Sequence, residues 1–426
     1  MYALQQIPKC LARFSLLTDG VPPQMIARLP TQEERYRLLR YAFWIKRISG
    51  VITRRFDALF DLLQLCSPTQ TPFPNLRALS WSIYPSFLQF LPLFVSPRMT
   101  TFSVGVYPDA TFDPKTTERD YLAATVAALP PSLREFTLHL NPDGLGSDEL
   151  KEEVLSMARR CNSTLARLET DVELSAIAIH HLMGLPNLHT WKVYGHLFPF
   201  TPKPSSEPTT YLPALHSLTL DATNAYDWIV FLASSHTTHT SLRSTLTELN
   251  LNGHHAVDPA FISQICVFAS LTRLNVGYSC PKDRCAFALT DHDLSNLSLA
   301  LPRLEWLMLG HQCDKNTCQT TFKSLLFLSA RCPSLVSIAV HFNTIQITKD
   351  IRSLFETGDP SIMALRETPT RCRVVTLSVS QTPLSLVGYD ELEVVKRGLL
   401  NVFPQLRAIS RRYGRTWQYL TEELKK

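Results

Sequence analysis

The side chains most able to do chemistry are cysteines and histidines in two neighbouring loops. Cys280 and Cys285 stand four residues apart, as do Cys313 and Cys318, with His292 and His311 nearby. Stacked loops would bring the four thiols together, and four thiolates suit zinc. The spacing is not the C-x2-C type of a dedicated zinc site, so these four are candidate ligands only, and the simpler reading is free loop cysteines, with no metal and no cofactor expected. His180-His181 and His254-His255 are adjacent pairs. Adjacent residues diverge on a strand and do not share a helix face, which argues against chelation. Arg411, Arg412 and Arg415 form a small basic cluster near the end, read as a solvated cap. There is no Gly-rich phosphate loop, nucleophile elbow, H-E-x-x-H or paired-carboxylate motif. The chain reads as a non-enzyme.

What would position these residues is a repeat. The phrase apolar-x-x-apolar-x-apolar occurs as Leu304, Leu307, Leu309 and again as Leu335, Ile338, Val340, with a helical stretch between them. It opens with Leu76, Leu79, Trp81, then Met99, Phe102, Val104 and Leu133, Phe136, Leu138. Leu165 and Leu168 follow with Thr170 in the last slot, a degenerate copy. Leu188, Trp191, Val193; Leu215, Leu218, Leu220; Leu246, Leu249, Leu251; and Leu271, Leu274, Val276 carry it through the middle. Val374, Leu377, Val379 and finally Leu406, Ile409 complete twelve copies. The interval averages about 30 residues and is irregular, near the leucine-rich repeat period. Most copies follow a turn with proline, as at Pro74, Pro131, Pro186, Pro213, Pro302, Pro333 and Pro404.

The phrase is a short strand whose apolar residues share one side. Proline ends the preceding helix and starts the extended segment. The connections read as amphipathic helices, at 148–160 with Leu150, Val154 and Met157, at 258–268 with Phe261, Ile262 and Ile265, and at 320–330 with Phe322, Leu325 and Leu328. The fold class expected is therefore α/β: a leucine-rich repeat solenoid with parallel strands on a concave side, helices on a convex side and a helical N-terminal cap. Residues 1–70 are read as that cap, 71–411 as the repeats and 412–426 as a C-terminal cap or tail, with a short closing helix from Trp417. Thr31 with Glu34 forms a capping-box pattern for a helix running to about Arg47. Phe56, Leu59, Phe60 and Leu63 have helical spacing. Polar or proline-rich insertions lie at 107–117, 196–212 and 355–373.

Strand positions alternating with the anchors face solvent. Across the middle repeats these are Thr190, Lys192, Tyr194; Ser217, Thr219, Asp221; Glu248, Asn250, Asn252; Arg273, Asn275; Trp306, Met308; and Ser337, His341. They form the expected partner-binding wall, with Tyr194, Arg273 and Trp306 as anchors because aromatics and arginine dominate binding hot spots.

The totals agree with a scaffold. Hydrophobic residues are 45% and charged residues 19%, and 42 Lys+Arg against 37 Asp+Glu give a net charge of +5. Over this length that does not point to nucleic acid or an anionic membrane as partner. No apolar run approaches a membrane span and no clean signal peptide is seen. The expectation is a cytoplasmic or nuclear protein, with reduced thiols at its ten cysteines and Cys161 and Cys332 as small core residues.

LPRLEWLMLG at 301–310, LSARCPSLVSIAVHFN at 328–343, FPNLRALSW at 73–81 and LPPSLREFTL at 129–138 resemble the leucine-rich half of the large F-box family of mushroom-forming (basidiomycete) fungi. The stretch at 30–50 resembles the helix after the F-box there. The resemblance implies a substrate adaptor of an SCF ubiquitin ligase complex: the repeats hold a protein substrate for ubiquitination, and an F-box docks a Skp-type linker and a cullin. Residues 1–29 do not carry the Leu-Pro opening of an F-box. The expectation is a chain that begins after its F-box, or a relative without one. Linker and cullin are partners only if an F-box is supplied. The alternative is a stand-alone repeat protein with no ligase link.

Overall fold

A computed structural model describes residues 31–52, 60, 63–65, 71–107, 116–140, 148–194, 212–221, 225–234, 240–253, 257–278, 287–310, 319–356, 372–379, 389–410 and 415–424. The chain falls into two compact units, Met1–Phe198 and Pro199–Lys426.

Among the described residues the first unit contains six strands, β1 (Arg47–Val51), β2 (Ala78–Ile83), β3 (Thr101–Val106), β4 (Glu135–His139), β5 (Arg167–Thr170) and β6 (Thr190–Tyr194). Each pairs in parallel with the next in chain order. The second unit contains β7 (Ser217–Asp221), β8 (Glu248–Gly253), β9 (Arg273–Tyr278), β10 (Trp306–Leu309), β11 (Ser337–Val340), β12 (Thr376–Ser378) and β13 (Ala408–Ser410), paired the same way. Parallel neighbours need a crossover, and here the crossover is usually one helix, so both units are α/β leucine-rich repeats.

The apolar phrase drives this. All twelve copies fall on β2 to β13, and their anchors, from Leu76 to Ile409, are buried. In register the second anchors stack from strand to strand, as Leu249 on Leu274 on Leu307 on Ile338. Phe102 and Phe136 stack with ring centroids 5.8 Å apart. A tight turn feeds most strands: the amide of the first anchor donates three residues back, as Leu76 to the Phe73 carbonyl at 3.1 Å and Leu335 to the Cys332 carbonyl at 3.1 Å, while Leu165 and Leu246 donate four back. The next two amides then converge on one carbonyl of the preceding repeat. Thr100 and Thr101 both donate to Arg77, Arg134 and Glu135 both donate to Thr100, and Glu305 and Trp306 both donate to Thr272. Because this rung uses only backbone atoms, side chains beside it are free to vary between repeats.

The helices carry the caps that the residue types predict. Thr31 and Glu34 form the reciprocal capping box of the helix Gln32–Trp44. Asp148–Arg160 is a helix, Asp258 caps Pro259–Ile265, and Thr321 caps Phe322–Arg331. Asp291, opening the helix Asp291–Ala300, accepts from the backbone amide and hydroxyl of Thr321 at 2.7 and 2.6 Å, tying two consecutive helix starts together. The chain ends in the helix Arg415–Leu424, with Trp417 and Leu420 buried. Among the described residues no helix is long and apolar enough to cross a membrane.

The N-terminal region departs from the expectation. Its helix stops at Trp44 rather than near Arg47, and β1 follows directly, in register with β2. Ile45, Ile48 and Gly50 take the three anchor slots of this extra strand. The glycine in the last slot (φ of 153°) removes the apolar residue that marks the phrase elsewhere. Of the second helical stretch, Phe60 and Leu63 are described, helical and buried. Phe56 and Leu59 lie outside the described residues, as do most of the three insertions.

Candidate functional site: the exposed strand face

Strand alternation leaves one side chain in two facing away from the helices, and register sets which of these touch. In the first unit Glu135, Arg167 and Thr190 form one row, and Thr137, Glu169 and Lys192 the next. His139 ends β4 and Tyr194 ends β6. Glu169 is the centre of this group and is only 8% exposed. Its carboxylate lies 2.6 Å from the Arg167 guanidinium, 3.2 Å from His139 Nε2 and 3.5 Å from Lys192 Nζ. The Tyr194 hydroxyl donates to it at 3.4 Å, and the Tyr194 and His139 rings meet edge-on at 5.4 Å. Burial by itself pushes the Glu169 carboxyl up; the hydrogen bond from Arg167 and the charges of Lys192, Arg167 and His139 outweigh it and hold the group below the usual range. Beside it, burial pushes Asp171 up, although both its oxygens accept from the Leu140 amide, at 2.7 and 2.6 Å.

Lys192 and Tyr194 are thus where the alternation puts them, and the structure fixes both on Glu169. His139, Arg167, Glu169 and Asp171 were not among the expected wall residues. Glu169 sits between Leu168 and Thr170, in the copy whose last anchor is polar, and the alternation rule applied to that copy would have named it.

The second unit builds the same face from hydroxyls and amides around one carboxylate, Glu248. Ser217 donates to Glu248 at 3.1 Å; the Asn250 amide donates to Glu248 at 3.0 Å and to Thr219 at 3.4 Å. Asp221, Glu248, Asn250, Asn252, Asn275 and Met308 are half-buried, and Arg273 is exposed. The Asn275 side-chain oxygen is buried and has no hydrogen-bond partner among the described residues. Trp306 lies in register between Arg273 and Ser337 and is 44% exposed, a large apolar surface on an otherwise polar face.

Two expected wall residues are corrected. Thr219 is only 6% exposed, closed over by Asn250 of the next strand. His341 is fully buried, because β11 ends at Val340 and the chain then turns in beneath its neighbours. There the His341 carbonyl accepts from the Thr320 hydroxyl at 2.6 Å, and the ring meets Phe287 edge-on at 5.7 Å. Strand alternation cannot be extended past the last strand residue.

Of the chemically suggestive motifs, Cys280, Cys285, Cys313, Cys318, His254, His255, Arg411 and Arg412 lie outside the described residues. Among the described residues no group of three or more His, Cys, Asp or Glu side chains is placed to hold a metal ion. His180 and His181 are the last basic residues of the helix Ala176–Met183. Cys161 and Cys332 are fully buried free thiols directed at carbonyls of the preceding repeat, Pro130 at 3.5 Å and Leu301 at 3.6 Å. Cys372 does the same toward Leu335 at 3.9 Å. Burial pushes the Cys332 thiol up to about 12 and Cys266 up to about 11, which suits packing rather than nucleophilic use.

Neither a known protein family nor a curated protein sequence matches the chain at a significant level. Among solved structures it is similar to a chain of the Rad7 and Elc1 complex in yeast, with 14% identity and a TM-score of 0.40 over 97% of this chain and 93% of that one. It is also similar to the leucine-rich repeat-containing protein LegL7 from Legionella pneumophila, with 10% identity and a TM-score of 0.33 over 89% of this chain and 97% of that one.

Proposed function

We propose that this chain is a non-enzymatic scaffold that holds a protein partner on the exposed face of its strands. The observation that carries the reading is Trp306. A tryptophan left 44% exposed between an arginine and a serine on a regular strand face is the residue type that anchors protein interfaces. Tyr194, fixed on Glu169, is a second aromatic with a preset rotamer, so little conformational freedom is lost when it is covered. Beside them Ser217, Thr219, Glu248 and Asn250 are hydrogen-bonded to one another, which suits a surface that holds its shape without a partner.

The finer reading is that the partner is a substrate and the chain is the recognition arm of an SCF-type ubiquitin ligase, acting in the cytoplasm or nucleus. It rests on the resemblance of the repeat phrases and of residues 30–50. A pull-down with the full chain as bait, scored for a Skp-type linker and a cullin, tests it. Co-purification of both supports the adaptor reading. Their absence while other proteins are retained leaves a stand-alone repeat binder. The scaffold reading has its own test: Trp306→Ala should weaken retention of the enriched partner by about tenfold or more. Its melting temperature should stay that of the parent, since an exposed side chain contributes within about 0.5 kcal/mol. Unchanged retention would remove the wall from the proposal.

A further inference from the structure

The first unit also carries a basic depression at a different place, along the turns that precede its strands. It is lined by Arg77, Pro97, Arg98, Thr100, Ser132 and Arg134, and all three arginines are exposed. The backbone ladder puts them there. Lys46, Arg77, Thr100 and Arg134 occupy one equivalent position in four successive repeats, each carbonyl accepting two amides of the next repeat. The hydroxyls of Thr100 and Ser132 donate to the Arg77 and Met99 carbonyls, at 3.2 and 3.0 Å, which fixes the floor. Arg98 is held across the depression by Asn75, whose oxygen accepts from its guanidinium at 2.8 Å while its amide donates to the Phe43 carbonyl at 2.9 Å. No carboxylate is among the described residues that line it.

We propose that this edge binds an acidic, extended peptide segment of a partner protein. Guanidinium forks match carboxylates in a planar, two-bond geometry, and three of them converge here without a lining acid. Successive repeats lie about 4.8 Å apart, so Arg77 and Arg134, two rungs apart, stand about 10 Å from one another. An extended polyproline-II segment rises about 3.1 Å per residue with three residues per turn, so acids three residues apart lie on one face and reach both. The cationic column covers only four rungs, and the strand face beside it carries Glu135, Glu169 and Asp171. A long polyanion would meet those acids, and no aromatic side chain on which a base could stack is among the described residues that line the depression. In the second unit the same position carries His216, Thr247, Thr272, Glu305, Val336, Val375 and Arg407, so no two arginines there stand two rungs apart as Arg77 and Arg134 do. The edge is separate from the wall, and its proposal does not depend on the wall's.

The test uses the full chain and a fluorescent peptide with glutamate at every third position, read by anisotropy at about 50 mM salt, where surface charges act over more than 10 Å. Binding is expected, and the combined Arg77→Glu, Arg98→Glu, Arg134→Glu variant should weaken it by about tenfold or more. Arg303→Glu, at the equivalent turn of the second unit, should leave it unchanged, as should Trp306→Ala. If the triple reversal lowers the melting temperature, Arg77→Gln with Arg134→Gln replaces it and should still weaken binding. The proposal is overturned by no measurable binding, by equal loss in Arg303→Glu, or by a single-stranded oligonucleotide that displaces the peptide at equal concentration.

Discussion

In the first unit the middle of the strand face is Glu169 with Arg167, His139, Lys192 and Tyr194 around it; in the second, the same rungs carry Thr219, Asn250, Asn275 and Met308. The backbone is the same in both, with parallel strands, stacked apolar anchors and paired amides on a carbonyl of the preceding repeat. The face is therefore decoupled from the frame. One frame supports a charge cluster in one unit and a hydroxyl and amide network with an exposed tryptophan in the other. The charged version needs all its members, since a carboxylate only 8% exposed depends on the cations around it. In the second unit, where hydroxyls and amides donate to a half-buried Glu248, each group forgoes less if a neighbour is lost.

The frame should respond alike in both units. Phe136→Ala, in the Phe102 stack, should cost about 3–5 kcal/mol, and Leu274→Ala about 2–5 kcal/mol, by urea unfolding. A much smaller cost at either would show that the two cores are not equivalent. The faces should differ. Glu169→Gln removes the carboxylate on which Arg167 and Lys192 converge and should cost about 1–3 kcal/mol, discounted for the partial exposure of both cations. Glu248→Gln, where a serine and an asparagine donate to the carboxylate, should cost less than about 1 kcal/mol. Equal costs would remove the distinction between the units.

Acid titration sharpens it. The Glu169 carboxyl is lowered on folding, so its contribution is present above the ordinary glutamate range and is lost as pH falls through the lowered value. Asp171 is raised, so its contribution is present below the ordinary aspartate range and is lost as pH rises through the raised value. Glu169→Gln should therefore flatten the fall in stability between about pH 5 and pH 3, and Asp171→Asn should steepen it. The smallest effect is expected at Gly277, where an added Cβ would lie 2.6 Å from the Asn252 side-chain oxygen. Because that oxygen is the end of a side chain and can swing away, Gly277→Ala should lower stability by less than about 1 kcal/mol, read as a small shift in melting temperature. A larger loss would mean that Asn252 is locked in the hydroxyl and amide network.

The sequence by itself determined the class of fold, twelve of the thirteen strands among the described residues, the helix capped by Thr31 and Glu34, and the strand positions that alternate with the buried anchors. Those are local facts: burial has a period of two on a strand, and a cap is a bond between near neighbours. It did not disclose β1, because Gly50 stands in the slot where the phrase requires an apolar residue and only pairing with β2 makes Arg47–Val51 a strand. Nor did it disclose the burial of Thr219 and His341, the convergence on Glu169, or the alignment of Arg77 and Arg134. The repeat interval is irregular, so which residue lies beside which in the next repeat is set by strand register, and register is fixed only when the whole set of anchors packs.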